Sequence, residues 1–409
     1  RVDAHGNPGN GGALFVSDVR RQLHAMERHY FAAAQQAGLP FTEDFNGNQP
    51  EGVGRYQITS RRGRRWSAAD AFLRPALQRP NVHLHTGAMV ERVLFEGRTA
   101  AGVAYRRNGE PMTARARRAV VLSAGSIQSP QLLQLSGIGP GALLQELGIA
   151  VLQDQPQVGA NLQDHLAMSY YYQATEPTLN NLLATSWGRL RIGMQYLATR
   201  EGPLSISVNQ LGGFVRSHPA AERPDTQLYC NPVTYTLAPS KNGTQIVPDK
   251  FAGFILCFQP CRPQSRGQVR IASADPHAAP HISPAYLSHP QDLEQAVRGA
   301  RLIRRLARTE AMRGLIRAPI APDLEGMDDA AMLEDFRARA STCYHPVGSC
   351  SMGPDPRSSV VDHQLKVHGT ERLYVVDASV FPTVTSGNTH APTTMVAHKG
   401  AQAILAAAR

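Results

Sequence analysis

Near its carboxyl end the chain reads Leu373-Tyr374-Val375-Val376-Asp377-Ala378 and then, after a turn-rich segment, Gly387-Asn388-Thr389-His390-Ala391-Pro392. The apolar run at 373–376 predicts a short strand that is buried on both faces and ends at Asp377. From Asn388 the pattern becomes helical, because a polar capping residue is followed by Pro392 and then by apolar residues at helical spacing. This stretch therefore predicts a strand, a sharp turn and a helix.

A second strand, turn and helix of the same kind occurs earlier in the chain. The run 119–122 is apolar throughout, Ser123-Ala124-Gly125 is a turn of small residues, and Ser126 begins a predicted helix that continues through Leu135. Open α/β sheets bind ligands just outside the carboxyl ends of such strands. The sequence thus predicts an α/β fold with ligand-facing turns at Ala124-Gly125 and at Asp377-Ala378.

Between these two elements the pattern is typical of antiparallel strands. Apolar and polar residues alternate at 168–173, 227–229, 253–258 and 268–271, which predicts an antiparallel sheet with helices on one side. Before the first of the two elements, shorter segments at 82–86, 90–95 and 101–105 predict a meander with turns at Glu96-Gly97 and Asn108-Gly109. We therefore predict a nucleotide-binding lobe that is interrupted by an inserted antiparallel lobe.

The positive charge of the chain raises the question of an anionic partner. The 409 residues carry a formal net charge of +10, with arginines clustered at 61–65, 115–118 and 301–308. Aromatic residues do not interleave with these arginines except at Trp66, and no nucleic-acid-binding motif is present, so a nucleic-acid partner is not predicted. We interpret the arginines as a solvated surface, with peripheral attraction to anionic lipid as the lesser alternative.

The cysteines indicate a reducing compartment and argue against a metal site. Five of them form an odd, scattered set, which favours a reducing compartment over a disulfide framework. A metal site built from Cys343, His345 and Cys350, or from Cys257 and Cys261, lacks the paired spacing of zinc ligands, and we predict no metal. A Gly-x-Ser-x-Gly elbow for a serine hydrolase is also absent from the sequence. We expect a cytoplasmic protein, with peripheral association with the inner face of the membrane as an alternative.

Two histidines are candidates for proton transfer. His345 lies in Tyr344-His345-Pro346-Val347-Gly348, and His390 lies in the first turn of the predicted C-terminal helix, where negative charge is favoured. Imidazole titrates near neutral pH and exchanges protons at working pH. Taken singly, His345 is explained as a satisfied core residue and His390 as a helix cap. Together, within these motifs, they favour a catalytic pair.

Several motifs occur in an order that is specific to one family. The longest is Gly125-Ser-Ile-Gln-Ser-Pro-Gln-Leu-Leu-Gln-Leu-Ser-Gly-Ile-Gly139, and others lie at 45–47, 52–54, 67–75, 159–165, 265–267, 345–348 and 387–389. In sequence and order they resemble the motifs of the glucose–methanol–choline (GMC) family of FAD-dependent oxidoreductases. The resemblance covers essentially the whole chain and is nearest to the choline- and alcohol-dehydrogenase branch.

The resemblance implies FAD as the cofactor, held by a Rossmann-like FAD/NAD(P)-binding domain. That domain would comprise residues 67–165 and 341–409 and lack its N-terminal part, and a substrate-binding domain would comprise 1–66 and 166–340. Val90 would meet the adenine end of FAD, although strand packing explains this residue equally well. Ala124 and Gly125 would lie along the dinucleotide, and Asp377 and Ala378 beside the pyrophosphate. The residues near the isoalloxazine would be Asn388, Thr389 and Thr393.

The same resemblance implies a reaction. A primary alcohol would be oxidised to the aldehyde by hydride transfer to flavin N5, with His345 accepting the hydroxyl proton and His390 bonded to the same oxygen. The helix that begins near Asn388 would stabilise the negative charge of the reduced flavin. The alcohol is left open, as is the electron acceptor, which is oxygen, a quinone or another carrier.

Two features depart from the family's pattern. Choline- and alcohol-dehydrogenase relatives usually carry Asn at the position of His390, which weakens any transfer of choline as the substrate. The strand, Gly-x-Gly-x-x-Gly turn and acid that open the family's fold are not found; Gly137-Ile-Gly139-Pro-Gly141 follows a helix, and we interpret its glycines as turn-formers. We therefore expect a chain that begins inside a larger protein and does not hold FAD tightly alone. The alternative is a cofactor-free remnant whose inserted lobe is a binding module.

Overall fold

The computed structural model describes residues 11–240, 243–320 and 322–407. By packing, the chain divides into two compact units. The first holds the chain up to His83 together with Leu166–Cys261 and Leu293–Ser341, and the second holds Leu84–His165, Arg262–Asp292 and the chain from Thr342 onward. Each unit has its own sheet and its own buried core.

Helices occur in both units. The α-helices are α1 (Glu27–Gln36), α2 (Arg74–Ala76), α3 (Gly125–Leu135), α4 (Gly141–Glu146), α5 (Leu179–Leu183), α6 (Ser186–Thr199), α7 (Pro290–Ala307), α8 (Glu310–Leu315), α9 (Asp329–Arg339) and α10 (His390–Ala407). Single 3-10 turns lie at Arg20–Gln22, Pro203–Ser205, Leu324–Gly326 and Ala378–Val380, and a π-helical turn lies at Ala69–Leu73. Of the helices in the described ranges, none has both the length and the apolar character needed to cross a bilayer.

The strands are mostly short. They are β1 (Gly52–Arg55), β2 (Ser60–Arg61), β3 (Arg64–Arg65), β4 (Ala88–Glu96), β5 (Thr99–Arg107), β6 (Glu110–Arg115), β7 (Val120–Leu122), β8 (Ile138–Gly139), β9 (Gln153–Asp154), β10 (Leu166–Ala174), β11 (Leu211–Val215), β12 (Thr226–Asn231), β13 (Tyr235–Ser240), β14 (Gly243–Pro248), β15 (Gly253–Pro260), β16 (Gln268–Arg270), β17 (His281–Ser283), β18 (Ile316–Pro319), β19 (Ser341–Thr342) and β20 (Leu373–Val375).

The first unit is built on an antiparallel sheet with the strand order β1-β11-β12-β15-β10-β18. Its central strand β15 is buried along its whole length. Helix α7 packs tightly on this sheet, since a Cβ at Gly299 would lie 2.1 Å from the ring of Phe258. The strands predicted at 168–173, 227–229 and 253–258 are confirmed as parts of β10, β12 and β15.

The second unit contains the parallel strand pair that the sequence predicts. Strands β7 and β20 are parallel, with Leu122 opposite Val375, and the N–H of Val376 donates to the carbonyl of Leu122 at 2.8 Å. Both strands therefore end at the same edge, and α3 follows β7 directly. A meander is present as β4-β5-β6, in which the predicted strands at 90–95 and 101–105 lie within β4 and β5, while the third strand, β6, was not predicted. The positive φ angles of Asn108 and Gly109 (51° and 85°) match the expected tight turn.

Two predicted strands differ from the structure. Residues 82–86 form no strand, because Leu84 is 54% exposed and the alternation there buries no face. Residues 268–270 form β16, but this strand pairs with β17 in the second unit instead of joining the inserted sheet. The side chain of Gln134 on α3 explains this placement, since it donates to the carbonyl of Val269 and accepts from the N–H of Ile271, both at 3.0 Å.

The packing units and the predicted domains divide the chain at different positions. Residues 67–83 pack in the first unit and 262–292 in the second. The prediction instead assigned 67–83 to the FAD-binding domain and 262–292 to the substrate-binding domain. The start of the predicted substrate-binding domain, residues 1–10, lies outside the described residues. The assignment of FAD-binding and substrate-binding roles to these domains stays a prediction.

Candidate active site

Asp377 joins the two turns at the edge where β7 and β20 end. One of its carboxylate oxygens accepts from the N–H of Gly125 at 2.9 Å and from the hydroxyl of Ser129 at 2.6 Å. The other accepts from the N–H of Ser379 at 2.8 Å. The structure thus brings together four of the predicted cofactor-binding residues: Ala124, Gly125, Asp377 and Ala378.

The backbone at this edge is accessible to a ligand. Gly125 has a φ of +84°, which glycine adopts without strain, and a Cβ built on it meets no atom within 4 Å. Ala124 is exposed, whereas the side chain of Asp377 is buried and bonded within the chain. What a ligand meets is therefore the backbone of small residues at the N-terminus of α3, the feature on which dinucleotide phosphates are bound.

Asp164 anchors the backbone of His345. Its Oδ1 atom accepts from the N–H of His345 at 2.8 Å and from the N–H of His165 at 2.9 Å. Its Oδ2 atom accepts from the hydroxyl of Tyr286 at 2.5 Å and from the hydroxyl of Thr342. One buried carboxylate therefore fixes both histidines relative to each other.

A serine couples this anchored segment to the cofactor turn. The hydroxyl of Ser126, the residue after Gly125, donates to the carbonyl of Pro346 at 2.6 Å. In return, the hydroxyl of Ser349 donates to the carbonyl of Ser126 at 2.5 Å. The predicted dinucleotide edge and the segment that carries His345 are thus hydrogen-bonded to each other.

The imidazole of His345 has a polar partner at each nitrogen. Its Nδ1 atom lies 3.1 Å from Nδ1 of His165, which is fully buried, and the two rings meet edge to face. Its Nε2 atom lies 3.2 Å from Nδ2 of Asn388. With the Asn388 amide donating, Nε2 is the acceptor, so the ring proton lies on Nδ1 and is donated to His165. This tautomer leaves the Nε2 lone pair as the basic site of His345.

The charge state of the site follows from its burial. Burial lowers the pKa of His345 below the ordinary value of 6.5, while the carboxylate of Asp164 acts in the opposite direction. His345 is therefore neutral at pH 7. Burial, together with the hydrogen bond to Asp164, raises the pKa of Tyr286, which keeps its phenol protonated as a donor.

Of the residues predicted to lie near the isoalloxazine, Asn388 is the one bonded to His345. Thr393 bonds instead to its own helix, with its N–H and hydroxyl donating to the carbonyl of Thr389 at 3.0 and 2.7 Å. His390 is the first residue of α10 and is exposed. In the described part of the chain, the recorded partners of the His345 ring are His165 and Asn388, and a contact with His390 is not among them.

Val90 lies in a different sheet from the other predicted cofactor residues. It pairs with Tyr105 between β4 and β5, and the register shifts between Val90 and Arg92. Its half-buried side chain is compatible with strand packing. Its contact with the adenine end of FAD stays a prediction.

Of the glycines in Gly137-Ile138-Gly139-Pro140-Gly141, Gly137 is confirmed as a turn-former, whereas Gly139 lies in β8 and Gly141 begins α4. Helix α3 precedes Gly137, where a Cβ would lie 2.5 Å from the carbonyl oxygen of Ala150. The N–H of Gly141 donates to the carboxylate of Asp154 at 2.8 Å. These glycines pack against their own chain and do not form a phosphate loop.

Three residues of this site, Asp164, His165 and Tyr286, are not predicted from the sequence. Asp164 and His165 end one of the family-like motifs, at 159–165, and that motif was the signal that could have identified them. Tyr286 carried no such signal. Within the described ranges, His, Cys, Asp and Glu side chains do not assemble into groups of three that could hold a metal ion.

Known proteins are similar to this chain in sequence and in fold. Family models described as GMC oxidoreductase match residues 10–167 and 263–397. The chain is 38% identical over 408 residues to an alcohol dehydrogenase [acceptor] of Pseudomonas putida, covering 99% of this chain and 72% of that protein. It is 39% identical over 403 residues to the mitochondrial choline dehydrogenase of Mus musculus, covering 97% of this chain and 65% of that protein.

A solved structure is also similar to this chain in its fold. The crystal structure of pyridoxine 4-oxidase from Mesorbium loti superposes with a TM-score of 0.83 at 29% identity, over 97% of this chain and 73% of that one. The α/β fold with an inserted antiparallel lobe is thereby confirmed, and FAD is the characteristic cofactor of the matching family. This chain belongs to the GMC oxidoreductase family.

Proposed function

We propose that this protein is an FAD-dependent oxidoreductase that converts a primary alcohol to the aldehyde, with His345 accepting the hydroxyl proton. The observation that carries the proposal is the buried, neutral imidazole of His345, whose Nε2 lone pair is directed at the start of α10. Oxidation removes one proton from the hydroxyl and one hydride from the carbon that bears it. A neutral imidazole is suited to the first of these tasks.

His165 acts in this proposal as a positioning residue. By accepting the Nδ1 proton of His345 at 3.1 Å, it keeps Nε2 free of a proton, so that an alcohol hydroxyl can donate there in place of the Asn388 amide. When His345 takes up the proton it becomes a cation, and Nδ1–H still donates to His165. Asp164 fixes the backbone of both residues, so this geometry is set before a substrate binds.

His390 is proposed as the second group at the alcohol oxygen. It stands at the first position of α10, where the helix dipole and a donating ring N–H both favour negative charge on that oxygen. Its exposure leaves the ring free to turn toward a bound alcohol. The His345–His390 pair at the substrate is thus part of the proposal.

The residues that would hold FAD are those predicted from the sequence. Ala124, Gly125, Asp377 and Ala378 would lie along the dinucleotide, Val90 at its adenine end, and Asn388, Thr389 and Thr393 at the isoalloxazine. When bound, FAD supplies the hydride acceptor for the reaction. The domain at 67–165 and 341–409 would carry the cofactor, and the domain at 1–66 and 166–340 would carry the alcohol pocket.

Two broader predictions belong to the same proposal. The protein is similar to alcohol and choline dehydrogenases, and a small alcohol is the proposed substrate; oxygen, a quinone or another carrier would then reoxidise the flavin. We propose a cytoplasmic protein, with peripheral association with the inner face of the membrane as the alternative.

The experiment measures flavin reduction by alcohols. The protein is expressed from its complete reading frame, purified, and mixed without oxygen with ethanol, butan-1-ol, octan-1-ol, benzyl alcohol or choline. We expect a flavin spectrum that at least one primary alcohol bleaches. A protein that stays colourless after reconstitution with FAD would contradict the proposal and favour the binding-module alternative.

A further inference from the structure

Helix α6 of the first unit exposes an apolar stripe along one face. Trp187, Leu190, Met194 and Leu197 follow one another at intervals of three, four and three residues, and they are 70%, 52%, 50% and 70% exposed. This spacing places them on one side of a helix. The opposite side is the one that packs, since Gly188 and Ile192 are buried there.

The helix is firmly placed, so the stripe is a fixed feature of the surface. The hydroxyl of Thr185 caps it by accepting from the N–H of Gly188 at 3.0 Å. Tyr196, on the packed side, donates to the carbonyl of Gly63 at 3.1 Å. A Cβ at Gly63 would lie 2.0 Å from the carbonyl oxygen of Arg200, so the β2–β3 hairpin lies directly against the end of α6.

That hairpin brings a cluster of arginines to the end of the stripe. Arg62, Arg64 and Arg65 are exposed, and no ion pair with a carboxylate is recorded for them in the described residues. Arg61 lies over the rings of Phe15 and Trp66, with its guanidinium carbon 4.5 and 4.8 Å from their centroids. Arg189 and Arg191 add exposed positive charge within α6 itself.

Acidic residues are absent from α6, from the β2–β3 hairpin and from the residues that flank them up to the limits given next. The sequence has no Asp or Glu between 177 and 200 or between 52 and 69. Within these two segments the surface is thus apolar along α6 and positive at the hairpin, and the first acidic residue after α6 is the exposed Glu201. An apolar helix face with arginine and tryptophan at its borders is the pattern of a helix that lies in the interface of an anionic bilayer.

We infer that the apolar face of α6 and the β2–β3 arginines together form a docking surface for an anionic lipid bilayer. Trp187 and Leu197 enter the headgroup boundary, and Arg62, Arg64 and Arg65 bind lipid phosphates. A second copy of the chain is a poorer occupant, because symmetric pairing would bring the same two segments together, and neither 52–69 nor 177–200 contains an Asp or Glu to pair with the buried arginines. The inference deepens the proposed membrane association and is independent of the proposed chemistry.

The experiment measures binding to vesicles, with no alcohol present. The complete protein is incubated with vesicles of phosphatidylcholine alone or of phosphatidylcholine with phosphatidylglycerol at about 7:3, and the bound fraction is separated by flotation. We expect binding to the anionic vesicles that exceeds binding to the neutral ones at least tenfold and weakens as salt is added. Equal binding to both, or to neither, would overturn the inference.

Matched variants locate the surface. Trp187→Ser with Leu197→Ser should lower binding to the anionic vesicles at least tenfold, and Arg62→Glu with Arg65→Glu should do the same. Ile246→Ser, which removes an apolar side chain that is 65% exposed on β14, should leave binding unchanged. Equal losses in all three variants would contradict the assignment of the surface to α6.

Tryptophan fluorescence gives a second readout. The chain has Trp66 and Trp187, so the emission of Trp187 is obtained as the difference between the wild type and Trp187→Phe. This emission should shift to shorter wavelength when anionic vesicles are added and be quenched by brominated lipid. A halving of the molar mass in light scattering for Trp187→Ser with Leu197→Ser would instead identify a second copy as the occupant and overturn the lipid assignment.

Discussion

Nδ1 of His345 lies 3.1 Å from Nδ1 of His165, although the two residues are 180 positions apart in the chain. Because each neutral imidazole carries one ring proton, such a contact forces one nitrogen to donate and the other to accept. The Asn388 amide at Nε2 decides which way the proton points. The basic atom of His345 is thus chosen by its two neighbours.

Substituting His165 tests this arrangement. His165→Leu removes the acceptor and leaves a buried N–H unpaired, at a cost of about 1–3 kcal/mol. We expect kcat to fall about 10- to 100-fold with little change in KM. His165→Asn retains an acceptor in its amide oxygen and should recover most of kcat. A merely structural role for His165 would instead show as equal losses in both variants together with loss of bound flavin.

The pH dependence of the rate follows from the lowered pKa of His345. Since the imidazole is the base only when it is neutral, kcat/KM should reach a plateau toward alkaline pH and fall as the pH drops through the pKa of His345 in the folded protein, which lies below 6.5. Stability changes with the same sign, because the unfolded chain binds a proton there more readily. A pH–rate profile on the slowest-reacting alcohol measures this midpoint, and a value at or above 6.5 would contradict the assignment.

Asp164 should contribute strongly to stability. Its two oxygens accept two backbone N–H groups and the hydroxyls of Tyr286 and Thr342. Asp164→Asn removes the charge and turns one acceptor into a donor, which should lower the free energy of unfolding by about 2–4 kcal/mol. Asp329→Asn is the control, since its ion pair with Arg301 is exposed and is worth ~1 kcal/mol or less. Urea titration compares the two, and similar midpoints would refute the anchoring role.

Gly125 allows a test of cofactor binding that separates strain from contact. Gly125 and Gly97 both have positive φ angles, 84° and 61°, and a Cβ on either meets no atom within 4 Å. Alanine should therefore cost each site about 1–2 kcal/mol of backbone strain. Gly125→Ala alone should also lower the flavin content of the purified protein, measured by absorbance. Equal flavin content in both variants would argue that this turn does not contact the cofactor.

Much of the fold could be predicted from local patterns. The apolar runs at 119–122 and 373–376 were long enough to identify β7 and β20. The expected burial on both faces holds for β20 but is wrong for β7, where Val121 is 44% exposed. The segment 82–86 misled because it alternates without burying a face. The position of β16 depended on Gln134, a long-range contact that no local pattern contains.

Only part of the site could be predicted, because local motifs do not show which residues meet over a long separation in the chain. Asn388 and His345 each lie in a recognisable motif, and the structure joins them. His165 was passed over, although it ends a quoted motif, because nothing in its neighbourhood indicates a partner 180 positions away. The role of His390 depends on a substrate, and the sequence and the exposed ring leave it a proposal.

The rate of flavin reduction tests the central claim most directly. The complete protein and its His345→Gln and His390→Asn variants, matched for flavin content, are mixed anaerobically with the alcohol that reduces the wild type fastest. We predict that His345→Gln slows reduction by about 10²–10⁴-fold, whereas His390→Asn, which restores the residue usual in related dehydrogenases, stays within about tenfold of the wild type. Reduction of the His345→Gln flavin at close to the wild-type rate would show that another group takes the proton and would contradict the account.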